Sequence, residues 1–484
     1  MSARAQAFAA VRWASIGSIG RAVIGFAQLA VLARLIPTAE FGLIALALAV
    51  VNTVLILADV GLSSAIIHFQ QVSEDELSSL FWLNIAVGVA LTLLLAGASA
   101  PIAHIYGQPR LIGVFLAISP LFAVTALGQQ QRALAEKSLR FNQLAMIEIG
   151  ATVCGFLVAI AAALGGLGVY AIVLSLLTIA AVNSAMAWVI LSRSWRPRFH
   201  YRLAETRRFL SYGGYLIAGN LANTLTMQGD VVLAGKLFPG SVLGLYSQPR
   251  ELCMRIMFVI NPIVTRIGLP LIARSQGDLQ KVKSIYLNTL RMTASINFPI
   301  YAFMALFSSD VVLFIFGQKW VDAGPLLRAL ALWCLVRSIG NPVGSLLNAM
   351  GRTKRALASS VCVLGLLYAT VIFSSRAGMI GVPYGLLALY AALISPFWFF
   401  LVRPVCGARF LEYHRQLAVP ALTTLAACCG AYLATLTLHG AFIRLLVGGL
   451  AGGVSYLAAS LIINRDWVQA MIELAPLKRR AATA

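Results

Sequence analysis

Charge is what this sequence has little of. Asp, Glu, Lys and Arg make up 11% of its 484 residues, against about a quarter in ordinary soluble domains, so no sizeable water-soluble domain can be built from it. Acid is the scarcer sign: 16 Asp and Glu stand against 37 Lys and Arg, a formal net charge of +21. In a soluble chain that excess would point to nucleic acid. Here the basic residues fall mostly in the joints between apolar runs, where they act as topology signals, and no nucleic-acid partner is expected. The seven cysteines (Cys154, Cys253, Cys334, Cys362, Cys406, Cys428 and Cys429) show no metal-ligand spacing, and nearly all lie inside apolar runs. They read as packing residues, and no metal or cofactor is expected. The sequence also has no phosphate-binding glycine loop to power primary transport and no Asp-x-Asp pair.

What it has is hydrophobic length: 60% of residues are hydrophobic and the mean hydropathy is +0.87. A membrane-crossing helix needs about 20 mostly apolar residues. Such runs follow one another at 13–36, 43–67, 80–105, 112–131, 144–164 and 169–191, then at 212–237, 245–272, 285–307, 326–350, 357–373 and 382–402, and finally at 417–438 and 442–463. The expected fold is therefore all-α and polytopic, with about fourteen transmembrane helices in a pattern of six, six and two. The first run carries Arg21 and lacks a small-residue cleavage site, so it reads as a spanning helix and not as a removed signal peptide.

With the N-terminus placed in the cytoplasm, about 24 loop and terminal Lys and Arg fall inside and about 8 outside, so both termini are expected to be cytoplasmic. A short internal repeat supports the even count. Leu32-Ala33-Arg34-Leu35-Ile36-Pro37 followed by Phe41-Gly42-Leu43 is echoed by Leu233-Ala234-Gly235-Lys236-Leu237-Phe238-Pro239 followed by Leu243-Gly244-Leu245, about 200 residues later. Six is even, so the second unit enters the membrane in the same direction as the first, which predicts parallel repeats. The expected organisation is an N-terminal lobe over 1–192, a basic cytoplasmic linker over 193–211, a second lobe over 212–404, and two further helices with a cytoplasmic tail over 405–484.

Three stretches carry a family likeness: Ala33-Arg34-Leu35-Ile36-Pro37 with Phe41-Gly42; Asp59-Val60-Gly61-Leu62-Ser63-Ser64-Ala65; and Leu77-Ser78-Ser79-Leu80-Phe81-Trp82-Leu83-Asn84. With the helix count, they make the chain resemble the polysaccharide-transporter branch of the multidrug/oligosaccharidyl-lipid/polysaccharide exporter superfamily, the Wzx-type flippases. The resemblance implies two six-helix lobes around a central cavity that opens alternately to each side of the bacterial inner membrane. It also implies a polyprenyl-pyrophosphate oligosaccharide as cargo, a transporter and not an enzyme, and polymerase and chain-length proteins of the same polysaccharide pathway as partners.

Ionisable residues at bilayer depth cost about 2.5–3.5 kcal/mol each on insertion scales, so they should face a wet cavity or a partner. Arg21, Arg255, Arg266, Arg291 and Arg337 are the candidate cargo residues, because guanidinium offers a fixed fork of donors to phosphate oxygens. Arg21 and Arg337 lie deepest in their runs. The bland reading is that these arginines snorkel or pair locally, as the four-residue spacing of Glu251 and Arg255 suggests. Asp59, Glu148, Asp230 and Asn223 are the candidate ion-coupling residues, with interhelical hydrogen bonding as the structural alternative. Family members with a Na⁺ site also use a carboxylate in the eleventh helix, and the run 357–373 has none. Pro262, Pro299 and Pro342 mark expected bends. Two rivals stay open: a sugar-handling membrane enzyme such as a polymerase or glycosyltransferase, and a multidrug exporter of the same superfamily.

Overall fold

A computed structural model describes residues 3–58, 65–67, 69, 71–192, 195–465 and 467–469, with the side chains of 3–11, 212–218, 263–267 and 269 outside the description. By contact density the chain divides into two compact units, 1–247 and 248–484. The first holds α1 (Ala3–Leu35), α2 (Thr38–Ala58), α3 (Glu74–Ile105), α4 (Arg110–Ile118), α5 (Leu121–Lys137), α6 (Phe141–Leu164), α7 (Val169–Met186) and α8 (Leu203–Leu237). The next helix, α9 (Gly240–Arg274), begins in the first unit and continues into the second. There follow α10 (Leu279–Leu306), α11 (Ser308–Ile315), α12 (Gly324–Ser338), α13 (Gly340–Ala349), α14 (Thr353–Ser374), α15 (Gly381–Phe397), α16 (Phe410–Thr435) and α17 (Ala441–Ile463).

Among the described residues, helix is found in each run that the hydropathy marked. Among the described residues, 11 helices are long and apolar enough to cross a membrane, or 12 if the pair α10–α11, bent by 84°, counts as one span. The expectation of about fourteen is compatible with this, since α8 and α9 are also continuous helices at the seventh and eighth expected positions. Many large apolar side chains point outward, Leu93, Leu157, Leu425 and Val454 among them. In water such a surface would be an aggregation hazard, whereas against lipid it costs nothing.

The proline expectations resolve differently. Helix runs on through Pro262 in α9 and Pro299 in α10. The tenth expected span instead breaks between α12 and α13, and Pro342 sits in the first turn of α13. Proline lacks the N–H that would bond the carbonyl four residues back, which here is Ser338, the last residue of α12.

Within the first unit α1 packs on α6, α6 on α7, α5 on α3 and on α7, and α8 on α2. The starts of α2 and α9, which carry the two copies of the repeat, approach at backbone distance through Gly42 and Gly244. Within the second unit α16 packs on α17 and on α10, and α12 on α10 and α15. Its core gathers Tyr286, Leu290, Leu346, Val402 and Tyr413 around the ends of α10, α13 and α16.

The basic stretch after α7 is half strap and half helix. Residues 195–202 are largely extended, and α8 then starts at Leu203. The strap lies along the first turns of α3. Trp195 and Phe209 are buried with Leu77, Leu80 and Phe81 in one apolar cluster. The backbone N–H groups of Arg198 and Arg202 donate to Ser78 Oγ at 3.1 Å and to Ser79 Oγ at 3.0 Å. Trp82 Nε1 donates to the Arg198 carbonyl at 2.9 Å, and its ring stacks on Phe199. Ser73 caps α3 in a reciprocal capping box with Glu76. The acidic first turn then holds the strap's arginines, Glu74 pairing with Arg198 at 2.6 Å and Glu76 with Arg208 at 2.7 Å. The Ser78-Ser79-Trp82 pattern of the sequence is thus the docking edge for a backbone with no helix or sheet partner of its own.

Candidate functional site

Among the described residues, the expected site residues fall in separate local settings. The first lies in the N-terminal unit. Arg21 on α1 pairs with Glu148 on α6, Nη1 to Oε2 at 2.6 Å, and Arg132 on α5 closes on the other oxygen of the same carboxylate. Two cations share one anion, so the group keeps a net positive charge. Arg21 is 41% exposed, Arg132 30% and Glu148 16%, so the acid is the least exposed of the three and the guanidiniums are accessible. Small residues let α1 come this close: a side chain on Gly17 would meet the Ala145 Cβ at 3.1 Å. Arg21 was expected among the cargo arginines and Glu148 among the ion-coupling acids, and Arg132 lies one residue past the expected run 112–131. The available signal was the turn around Arg140, since in an antiparallel helical hairpin positions equally far from the turn, such as 132 and 148, lie side by side.

Asp230 on α8 is buried and accepts a hydrogen bond from Tyr246 Oη on α9 at 2.6 Å. Asn223, two turns earlier on α8, is exposed. This geometry ties α8 to α9, the interhelical bonding that stood as the structural alternative. Asp59 lies outside the described residues, as does the side chain of Arg266.

The second group is in the C-terminal unit. Arg337 on α12 is only 7% exposed, with its guanidinium 4.9 Å from the Trp333 ring centroid and 5.5 Å from that of Tyr390 on α15. Aromatic faces stabilise a guanidinium removed from water. Arg255 on α9 pairs with Glu251 at 2.8 Å, the local ion pair that its spacing suggested. The third group surrounds Arg291 on α10, whose Nε donates to Asn464 Oδ1 at 2.7 Å. Arg291 also lines a cavity of about 380 Å³ with Arg415 and Arg465. Neither of those two was among the expected site residues.

Outside the apolar helices, Glu205 in the first turn of α8 accepts from Ser79 Oγ at 2.7 Å and lies 3.0 Å from His200 Nε2. The Ser79 hydroxyl, and then His200, hold its carboxyl below the ordinary glutamate range.

Residues 31–325 match a family model described as polysaccharide biosynthesis protein. The chain is 30% identical to the lipopolysaccharide biosynthesis protein WzxC of Escherichia coli, over 91% of this chain and 90% of that one. It is 28% identical to the teichuronic acid biosynthesis protein TuaB of Bacillus subtilis, over 93% and 94%. Its fold is that of the lipid II flippase MurJ in an inward closed conformation, with a TM-score of 0.77, 14% identity, and coverage of 94% of this chain and 99% of that one.

Proposed function

This chain belongs to the polysaccharide biosynthesis protein family, and from that premise we propose that it is a flippase for a lipid-linked sugar. It carries polyprenyl-pyrophosphate-linked oligosaccharide units across the bacterial inner membrane for exopolysaccharide or lipopolysaccharide assembly, by alternating access and without chemistry on the cargo. Both termini lie in the cytoplasm, where about three in four loop Lys and Arg then fall. Polymerase and chain-length proteins of the same pathway receive the product.

The observation that carries this reading is the Arg21–Glu148–Arg132 group. Glu148 neutralises one cation and orients both, leaving accessible guanidiniums of net positive charge among spanning helices. A pyrophosphate supplies the anionic oxygens that such a group attracts, and guanidinium binds them in a bidentate fork. A cationic drug would meet repulsion there, which disfavours a multidrug exporter. Arg337, held between Trp333 and Tyr390, is the second positive position of the proposed path.

The test is to delete the gene in its host and analyse extracted lipids by mass spectrometry. Accumulation of a complete polyprenyl-pyrophosphate repeat unit on the cytoplasmic face, with loss of surface glycan, is expected. Truncated units, or complete units already exposed on the outer face, would point to a glycosyltransferase or polymerase and end this reading.

A further inference from the structure

The helices α14 and α15 form a hairpin joined through residues 375–380, and at the end away from that joint they part around a crevice of about 960 Å³. Ala358, Cys362 and Leu366 line it from α14, and Leu393, Pro396 and Phe400 from the α15 side. These walls are apolar. Arg355, in the first turn of α14, and Arg403, just past α15, bring two positive charges to the same space.

The α15 side is shaped by its sequence. Directly after Pro396 the helix widens into a π turn over Trp398–Val402, as helices do where a proline interrupts the hydrogen-bond ladder. Within that turn Trp398 is fixed, because its Nε1 donates to the Ala408 carbonyl at 2.9 Å. The Arg403 guanidinium then lies 5.8 Å from the Trp398 ring centroid and 5.5 Å from that of Phe399. Aromatic faces thus hold the cation at the crevice before any ligand arrives, which lowers the ordering cost of binding.

The depth of the crevice identifies the kind of occupant. From Arg355 to Leu366 the α14 wall runs about 16 Å at the helical rise of about 1.5 Å per residue, and half of a bilayer's hydrocarbon core is about 15 Å. Trp398 and Arg403 together mark the headgroup level, where such residues anchor helix ends. The crevice therefore reaches from the headgroups to the midplane, the depth of one leaflet.

We propose that this crevice binds an anionic phospholipid, with its phosphate on Arg355 and Arg403 and an acyl chain along the apolar walls. Guanidinium matches phosphate oxygens, and basic residues at a membrane surface favour an anionic headgroup over a zwitterionic one. The apolar wall one leaflet deep favours a phospholipid over a soluble phosphate. The lipid fills the open end of the hairpin and so stabilises the C-terminal unit, independently of what the protein carries.

The experiment uses the full chain purified in a neutral detergent, titrated separately with phosphatidylglycerol, phosphatidylcholine, polyprenyl phosphate and inorganic phosphate. Binding is read by native mass spectrometry and by the shift in unfolding temperature of each variant from its own lipid-free value. Phosphatidylglycerol is expected to raise that temperature and remain bound, and phosphatidylcholine to do neither. The double variant Arg355→Gln/Arg403→Gln is expected to bind phosphatidylglycerol at least about tenfold more weakly. Ala358→Phe, which narrows the crevice and keeps both arginines, should weaken it too. Arg376→Gln, in the joint at the closed end of the hairpin, should bind as wild type does. Equal responses to the two phospholipids, unchanged binding in both crevice variants, or an equal loss in Arg376→Gln would overturn the site. A shift reproduced by inorganic phosphate, or binding of polyprenyl phosphate in place of phosphatidylglycerol, would overturn the phospholipid assignment.

Discussion

Gly42 and Gly244 stand in reciprocal positions: a Cβ on Gly42 would lie 1.9 Å from the carbonyl oxygen of Gly240, and one on Gly244 2.0 Å from that of Thr38. Each glycine therefore admits the backbone of the other's helix. Gly42 and Gly244 are also equivalent in the sequence repeat, and Thr38 and Gly240 are separated by the same interval. The repeat thus survives as a local two-fold crossing of α2 and α9 at backbone contact, the close approach that small residues permit in membranes.

An alanine at either position must push two backbones apart. Gly42→Ala or Gly244→Ala is expected to cost about 1–3 kcal/mol or more and to lower the yield of monodisperse protein on size-exclusion chromatography. Gly150→Ala, with open space around its Cβ, should behave as wild type. Equal yields for all three variants would mean that the crossing is not tightly packed.

Glu148 serves two arginines, so its loss differs from theirs. Glu148→Gln leaves like charges facing each other without an anion, and a fall in folded protein is expected. Arg21→Gln keeps the Arg132–Glu148 pair and removes a partly exposed group, whose pairing is worth about 1 kcal/mol or less after solvent screening. It should fold normally and lose transport about tenfold or more if it contacts the pyrophosphate. Full glycan export by Arg21→Gln in a deletion host would remove this residue from the cargo path.

Acid should release the strap. The Glu205 carboxyl is lowered by Ser79 and His200, with Arg202 adding charge, so its contribution is fully present above the ordinary glutamate pKa of about 4.3. It is lost as the pH falls through the lowered value. In Ser79→Ala the carboxyl returns toward the ordinary range and the strap should open at a higher pH. Hydrogen exchange of the 195–202 peptide, corrected for its intrinsic pH dependence, reports this. An identical midpoint in variant and wild type would count against the linkage.

Leu139 closes the α5–α6 turn with φ of 56°, a left-handed conformation that costs most side chains about 1 kcal/mol and glycine almost nothing. Its side chain is half exposed, so little packing is lost on removal. Leu139→Gly is expected to raise thermal stability by about 0.5–1 kcal/mol equivalent. A decrease would show that the leucine contacts outweigh the backbone strain.

Much of the architecture was legible in the sequence. The apolar runs gave the helices because 20-residue hydrophobicity is local and additive, whereas the repeat marked two equivalent helix ends without showing that they cross at Gly42 and Gly244. The candidate residues were legible only as types. Arg21 and Glu148 carry different expected roles and Arg132 none, although all three share one contact. Ser78, Ser79 and Trp82 were visible as a pattern without a reason, because their partners are backbone groups about 120 residues away that no side-chain pattern encodes.

The sequence alone determined that this chain lives in lipid as a helical bundle, and its scarce acids ensured that few cations could be neutralised within it. Tertiary structure decided which cations those are: Glu148 is given to Arg21 and Arg132, and Glu412 to Lys283. The physical reason is range. Burial in a bilayer is set residue by residue along one dimension, whereas an ion pair needs two groups within 4 Å, and only the packing of helices distant in sequence brings them there.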